Sequence, residues 1–186
     1  MPEVRLETHR LTLRPVALSD ADALFPLINN WAVAQWLGVV PWPYTMADME
    51  HFLGTIAAPR KSSRFPVFAI CREGTQIGLI EYGRAPASGE ALHHETQLGY
   101  WLGEPYWGHG YATEAASALI SYAFDVSETA SIPSGVFDGN AASLRVQEKL
   151  GFEAVDTVMR MCRPHGKELP LIRTRLARER FRPLAD

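Results

Sequence analysis

The sequence predicts a mixed α/β (α+β) fold: a mostly antiparallel sheet flanked by about four helices. Three observations predict it. Segments 65–71, 76–82 and 93–102 are strand-like and follow one another closely, as an antiparallel meander does. Residues 96–125 then read strand, glycine turn, long helix. A short strand, a helix and two further strands close the chain. At 186 residues, 47% apolar and 21% charged, the chain is expected to form one domain over 1–186. That length buries roughly 70% of the unfolded surface, so no disulfide or metal staple is needed.

Taken in order, 6–16 (LETHRLTLRPV) alternates as a half-exposed strand. Ser19 and Asp20 cap a helix over 21–31, with Leu24, Leu27, Ile28 and Trp31 as its apolar stripe. Pro41 and Pro43 keep 37–44 irregular. Thr45 caps a second helix to about Ala58, with Met49, Phe52, Leu53 and Ile56 inward and Glu50 and His51 outward. Trp31, Trp36, Trp42 and Tyr44 concentrate rings in this stretch, suited either to the core or to the wall of a substrate cleft. The turn Glu73-Gly74-Thr75 joins two strands as a hairpin. After the glycine turn and its helix come a poorly patterned 127–134 connection and a short strand near 135–137. Asn140 is placed to cap a helix that Gly151 ends, and 153–163 pairs with 169–176. The basic tail, ARERFRPLAD, is expected to fray.

Composition excludes several function classes. A net charge of −3 and a pI near 6.1 argue against a general nucleic-acid binder. The opening MPEVRLETHR has no apolar signal core, and no run reaches membrane-spanning length. Cys71 and Cys162 stand singly in apolar segments, as buried thiols of a reducing compartment do, so a cytoplasmic location is expected.

The chemistry centres on 105–125, PYWGHGYATEAASALISYAFD. Gly108 and Gly110 precede a helix whose apolar positions (Ala112, Ala115, Leu119, Ala123) recur at helical spacing, with Thr113, Glu114, Ser117 and Ser121 on the other side. First-turn N–H groups lack intrahelical partners and carry partial positive charge, and glycines let an anion reach them. A phosphate or pyrophosphate suits such a turn, although an ordinary strand-to-helix turn would use the same glycines. Gly110 is followed by Tyr111-Ala112 rather than Lys-Ser/Thr, which excludes a Walker A loop. A dinucleotide fingerprint would need its third glycine where Thr113 stands, and it normally follows the first strand.

The element order, with WGHGYATEA and NAASLRVQEKLGF in these places, resembles the GNAT acetyltransferase superfamily; ETHRLTLRPV, LGYWL and EKLGF resemble its RimJ/RimL-like branch. The likeness spans nearly the whole chain. It implies acetyl-CoA as cosubstrate, no metal, and a splayed central strand pair that holds it. The family's Q/R-x-x-G-x-G/A loop maps onto Trp107, Gly108, His109, Gly110, Tyr111 and Ala112, with Trp107 in the usual Gln/Arg place. The resemblance implies pyrophosphate on the amides of residues 108–113, so through Thr113. It also implies a pantetheine arm paired with Tyr100, Trp101 and Leu102, Asn140 bonding that arm, and Ser143 near the thioester.

Acetyl transfer needs a neutral amine, a stabilised carbonyl oxygen and a proton for the thiolate; amides near Leu102 can serve the oxygen. An α-amine with a pKa near 7.7–8.0 is already partly neutral, whereas a lysine is not. Candidate bases are Glu95, which shares a face with Gln97 and Trp101 by parity, then Glu81, His93 and His94. Gly135 stands where many members carry a glutamate, and Gln147 where many carry an acidic tyrosine, which leaves Ser143 as the substitute acid. The function expected is an N-acetyltransferase acting on a primary amine, either a protein N-terminus or a small molecule. A catalytically silent acetyl-CoA-binding sensor is the alternative. No nucleic-acid or membrane partner is expected, and a homodimer is among the assemblies left open.

Overall fold

The computed structural model describes residues 4–57, 65–83 and 97–184. Its eight strands are β1 (Leu6–Glu7), β2 (Thr12–Pro15), β3 (Phe68–Arg72), β4 (Thr75–Gly83), β5 (Gln97–Leu102), β6 (Ser131–Phe137), β7 (Glu153–Cys162) and β8 (Lys167–Ala177). Five helices join them: α1 (Ala21–Ile28), α2 (Trp31–Ala34), α3 (Met46–Ala57), α4 (Tyr111–Val126) and α5 (Ala141–Leu150). One sheet runs β1-β2-β3-β4-β5-β6-β8-β7. Every neighbouring pair is antiparallel except β5 and β6.

Alternation divides the strand side chains between two cores. Phe68, Ile70, Ile77, Ile80, Leu98 and Leu102 pack with Ala115, Leu119, Ile120 and Ala123 of α4 on one face. Val67, Ala69, Cys71 and Leu79 pack with Leu24 and Ile28 of α1 and Met49, Leu53 and Ile56 of α3 on the other. Thr45 and Asp48 cap α3 reciprocally: the Asp48 N–H donates to Thr45 Oγ1 at 3.2 Å and the Thr45 N–H to Asp48 Oδ2 at 2.9 Å. The 73–74 hairpin turn has both residues at positive φ, 50° and 81°, the twist that antiparallel strands favour.

The fold departs from the sequence reading at five places. The expected strand over 6–16 folds back on itself, because the Thr8 hydroxyl and N–H bond Leu11 and make β1 and β2 a hairpin. The helix expected over 21–31 stops at Ile28, and Asn30 Oδ1 caps a separate short α2 by accepting from the Ala32 N–H at 2.9 Å. The β6 strand begins at Ser131, inside the supposed connection, because Ile132 is fully buried in the α4 core.

Two corrections belong together. Thr113, Glu114 and Ser117, expected on the solvent side of α4, are buried. The chain termini cover the last two: Thr8 and Arg10 bond Glu114, and the Leu184 N–H donates to Ser117 Oγ at 3.0 Å. The tail therefore docks through residue 184. Phe181 packs on Phe124 at 5.7 Å, and the Arg182 N–H donates to Leu150 O. A Cβ at Gly151 would sit 2.3 Å from Arg180 O, so the left-handed cap (φ 97°) also admits the tail.

Candidate active site

The turn between β5 and α4 has the geometry of an anion nest. Gly108 and Gly110 have φ of 78° and 81°, the left-handed values that glycine adopts without a Cβ penalty. Gly110 is the N-cap of the 16-residue α4, and no side chain caps it. The first-turn amides thus face outward beside the positive end of a long helix. A Cβ at Gly108 would meet nothing within 4 Å, so the turn is open to a guest. The side chains of Tyr111 and Thr113 are buried, which leaves their backbone to line the turn.

Three neighbours hold the loop. The Trp107 indole Nε1–H donates to Leu102 O at 2.8 Å and pins the loop to the end of β5. Arg10 Nη1 donates to His109 O at 3.0 Å, and its guanidinium also meets Glu114 at 2.7 Å and lies 4.6 Å over the Tyr111 ring. Arg10 is the loop residue that sequence reading missed. It lies in the quoted ETHRLTLRPV motif, but only the tertiary fold brings it to α4. Burial raises the Glu114 pKa, yet the bonds from Thr8 and Arg10 outweigh that effect and leave it lowered.

Between β5 and β6 the sheet opens. The two strands share one bridged pair, Leu98 with Ser134, and the Ser134 hydroxyl reinforces it by donating to Leu98 O at 2.9 Å. Past that point the Gly99–Leu102 edge of β5 carries no ladder to β6. An extended amide-bearing arm can enter there and bond the free edge. A buried relay fixes the apex: Gln147 Nε2 donates to Ser134 Oγ at 2.9 Å, and Thr174 Oγ1 donates to Gln147 Oε1 at 2.7 Å. Gln147, in the place of the usual tyrosine acid, thus clamps β6, β8 and α5.

At the opening, Asn140 Oδ1 accepts from the Ser143 N–H at 3.1 Å and caps α5. The Tyr100 hydroxyl lies 3.0 Å from Ser143 Oγ and 3.2 Å from Ser143 O. Burial pushes the Tyr100 pKa up to about 12, so the phenol stays neutral. Tyr100, named from sequence only for its backbone, therefore also brings a hydroxyl to Ser143.

The opposite face carries a carboxylate. Glu81 pairs across the ladder with Gly99, and a Cβ at Gly99 would lie 3.8 Å from Glu81 Oε1. Trp101 shares that face and packs on the α1–α3 core. Glu95, His93 and His94 lie outside the described residues. The structure thus brings together Tyr100, Asn140 and Ser143 on the helix face and Glu81 on the other. Trp31, Trp42 and His165 meet at the surface of that second side, with ring centroids 5.2 and 5.0 Å apart. Tyr44 is in the core instead. Among the described residues no group of three or more His, Cys, Asp or Glu could hold a metal, and no helix is long and apolar enough to cross a membrane.

Known proteins share this architecture. An N-acetyltransferase of Bacillus subtilis, YoaA, is 31% identical over 153 residues, which span 80% of this chain and 82% of that protein. A ribosomal-protein-serine acetyltransferase of Escherichia coli is 28% identical over 127 residues, 66% of this chain and 67% of its own. Among solved structures, a RimL ribosomal-protein acetyltransferase superposes with a TM-score of 0.76 at 17% identity, covering 94% of each chain. The family profile described as the Acetyltransferase (GNAT) domain matches residues 10–153. Glycine turn, uncapped helix and opened strand pair agree with that match, and the chain belongs to the GNAT family of acetyltransferases.

Proposed function

We propose that this acetyltransferase moves the acetyl group of acetyl-CoA onto a primary amine, with 1–186 acting as one domain. The observation that carries the reading is the single β5–β6 bridge, with hydroxyls on one face of the opening and a carboxylate on the other. The residues fit the cosubstrate. The amides of 108–113 would hold its pyrophosphate, the Gly99–Leu102 edge and Asn140 its pantetheine arm, and Ser143 would stand at the thioester end. When bound, acetyl-CoA supplies an activated acyl group.

This chain's own groups supply the rest. Glu81 takes the proton of the incoming amine, directly or through water. The Leu102 edge amides orient toward developing charge at the carbonyl oxygen. Ser143, fixed by Tyr100, offers its hydroxyl hydrogen to the departing sulfur. Because a serine hydroxyl is a weak acid, Ser143 would act only as a hydrogen-bond donor, and solvent would supply the proton.

Free-thiol release from acetyl-CoA, measured against a panel of primary amines, tests the reading. Turnover with some amine and none with its N-acetylated form is expected. Tight acetyl-CoA binding without thiol release from any amine would instead mark a silent binding domain.

A further inference from the structure

We infer that the free edge of β7 is a self-association surface: it pairs antiparallel with the same edge of a second copy of this chain, about a twofold axis at Val158. The inference is independent of which amine is acetylated.

The sheet order leaves two edges, β1 and β7. Strand β1 is two residues long, whereas β7 runs for ten, Glu153–Cys162, without lysine or proline. Natural sheets blunt, cover or pair an edge of that length. Among the described residues, β7 is laddered to β8 alone. Pro170 reveals which backbone groups β7 offers outward. It has no N–H, and its carbonyl accepts from the Asp138 N–H at 2.9 Å, on the β6 side. Met159, opposite Pro170, therefore sits in a non-hydrogen-bonded pair with β8. Its own N–H and C=O point to the free edge, as do those of Thr157 and Met161 by alternation. At one end of this stretch the Arg163 N–H is taken by Gly38 O at 2.9 Å. At the other, the ladder is irregular between Ala154 and Asp156. The regular open edge is thus 156–161.

Apolar exposure gives such an edge a reason to be covered. Val155, Met159 and Met161 are 57%, 57% and 46% exposed, and all three stand on β7. Charge selects the partner and the register. A second copy centred on Val158 sets each Asp156 opposite the partner's Arg160, and twofold symmetry makes that pair twice. It also sets each Thr157 opposite the partner's Met159. Asp156 and Arg160 share one face of the strand, and they meet in non-hydrogen-bonded pairs, where side chains approach closest. Asp156 is already held by Arg173 of its own chain. Glu168, the acidic group that acts on Arg160 within its own chain, pairs with Met161 and so alternates to the other face. An axis at Met159 would instead set Arg160 opposite Val158 and lose both charge pairs.

Sedimentation equilibrium of the unmodified full chain across a micromolar range tests the association without any variant. A mass of twice 20.7 kDa is expected. Met159→Lys places a charge at the outward edge and should return the mass to one chain. The acetyl-CoA Kd should stay within about twofold, because β6 and β8 separate this strand from β5. Register is read by disulfide trapping. Val158→Cys should cross-link two chains under mild oxidation, since facing residues of a non-hydrogen-bonded pair lie about 4.5 Å apart between Cα atoms. Met159→Cys should not, because its twin is offset by two residues, about 7 Å along the strand. A single-chain mass for the unmodified protein, a dimer that survives Met159→Lys, or cross-linking through Met159→Cys in place of Val158→Cys each overturns the inference.

Discussion

Tyr100 shows how much chemistry one residue can add unseen. From the sequence it is one letter of a strand beside a glycine turn, and its hydroxyl has no evident partner. The fold sets that hydroxyl 3.0 Å from Ser143 Oγ. Tyr100→Phe should lower kcat by about tenfold while the acetyl-CoA Kd stays within about twofold. Steady-state kinetics beside calorimetric binding would check this, and parallel losses in both would make Tyr100 merely structural. Glu81→Gln should flatten the acid limb of the kcat/KM profile for an α-amine; a profile superimposable on wild type removes Glu81 as base. Glu114 is a matter of stability. Its folded pKa is lowered from 4.5, so its contribution is present above that value and is lost as pH falls through the folded value. Glu114→Gln should therefore cost about 2 kcal/mol at neutral pH, and its Tm deficit should shrink on acidification. A pH-independent deficit would contradict the ion pair with Arg10.

The elements divide into those the chain announces locally and those it does not. Helix α4 and its glycine turn are legible because the left-handed glycines, the missing cap and the 3.6-residue pattern are all local signals. Gly110→Val should abolish acetyl-CoA binding, since a β-branched residue at φ 81° must refold the turn; unchanged affinity in a titration would refute the loop assignment. The Arg10 Nη2 atom would lie only 3.4 Å from the new Cβ. The separation of β5 from β6 has no such signature. Its apex is braced by Gln147, which reads as an ordinary helix residue until Ser134 and Thr174 are seen on either side of it. Gln147→Ala should cost about 1–3 kcal/mol, because the buried Thr174 hydroxyl loses its acceptor and Ser134 Oγ loses one of its two bonds. Denaturant melts would show the loss, and a cost near zero would mean water replaces the amide.

At the scale of the whole molecule, the two termini close over α4 from opposite ends. The Thr8–Arg10 turn meets its first turn, and the 178–184 tail crosses Leu150, Phe124 and Ser117. Ending the chain at Ala177 should lower Tm by several degrees, since it uncovers Phe124 and strands the Ser117 hydroxyl; an unchanged Tm would show that the docked tail adds no net stability. The sequence by itself determined the meander, the glycine turn and the capping of α3 and α5. Each of these follows from propensity and spacing within a dozen residues. Only the tertiary structure decided that Arg10 braces the loop, that Glu114 and Ser117 are buried, that Gln147 braces the apex of the opening, and that Glu81 lies on the face opposite Tyr100 and Ser143. Those outcomes depend on groups tens of residues apart in the chain, and no local pattern specifies which distant side chain will arrive opposite.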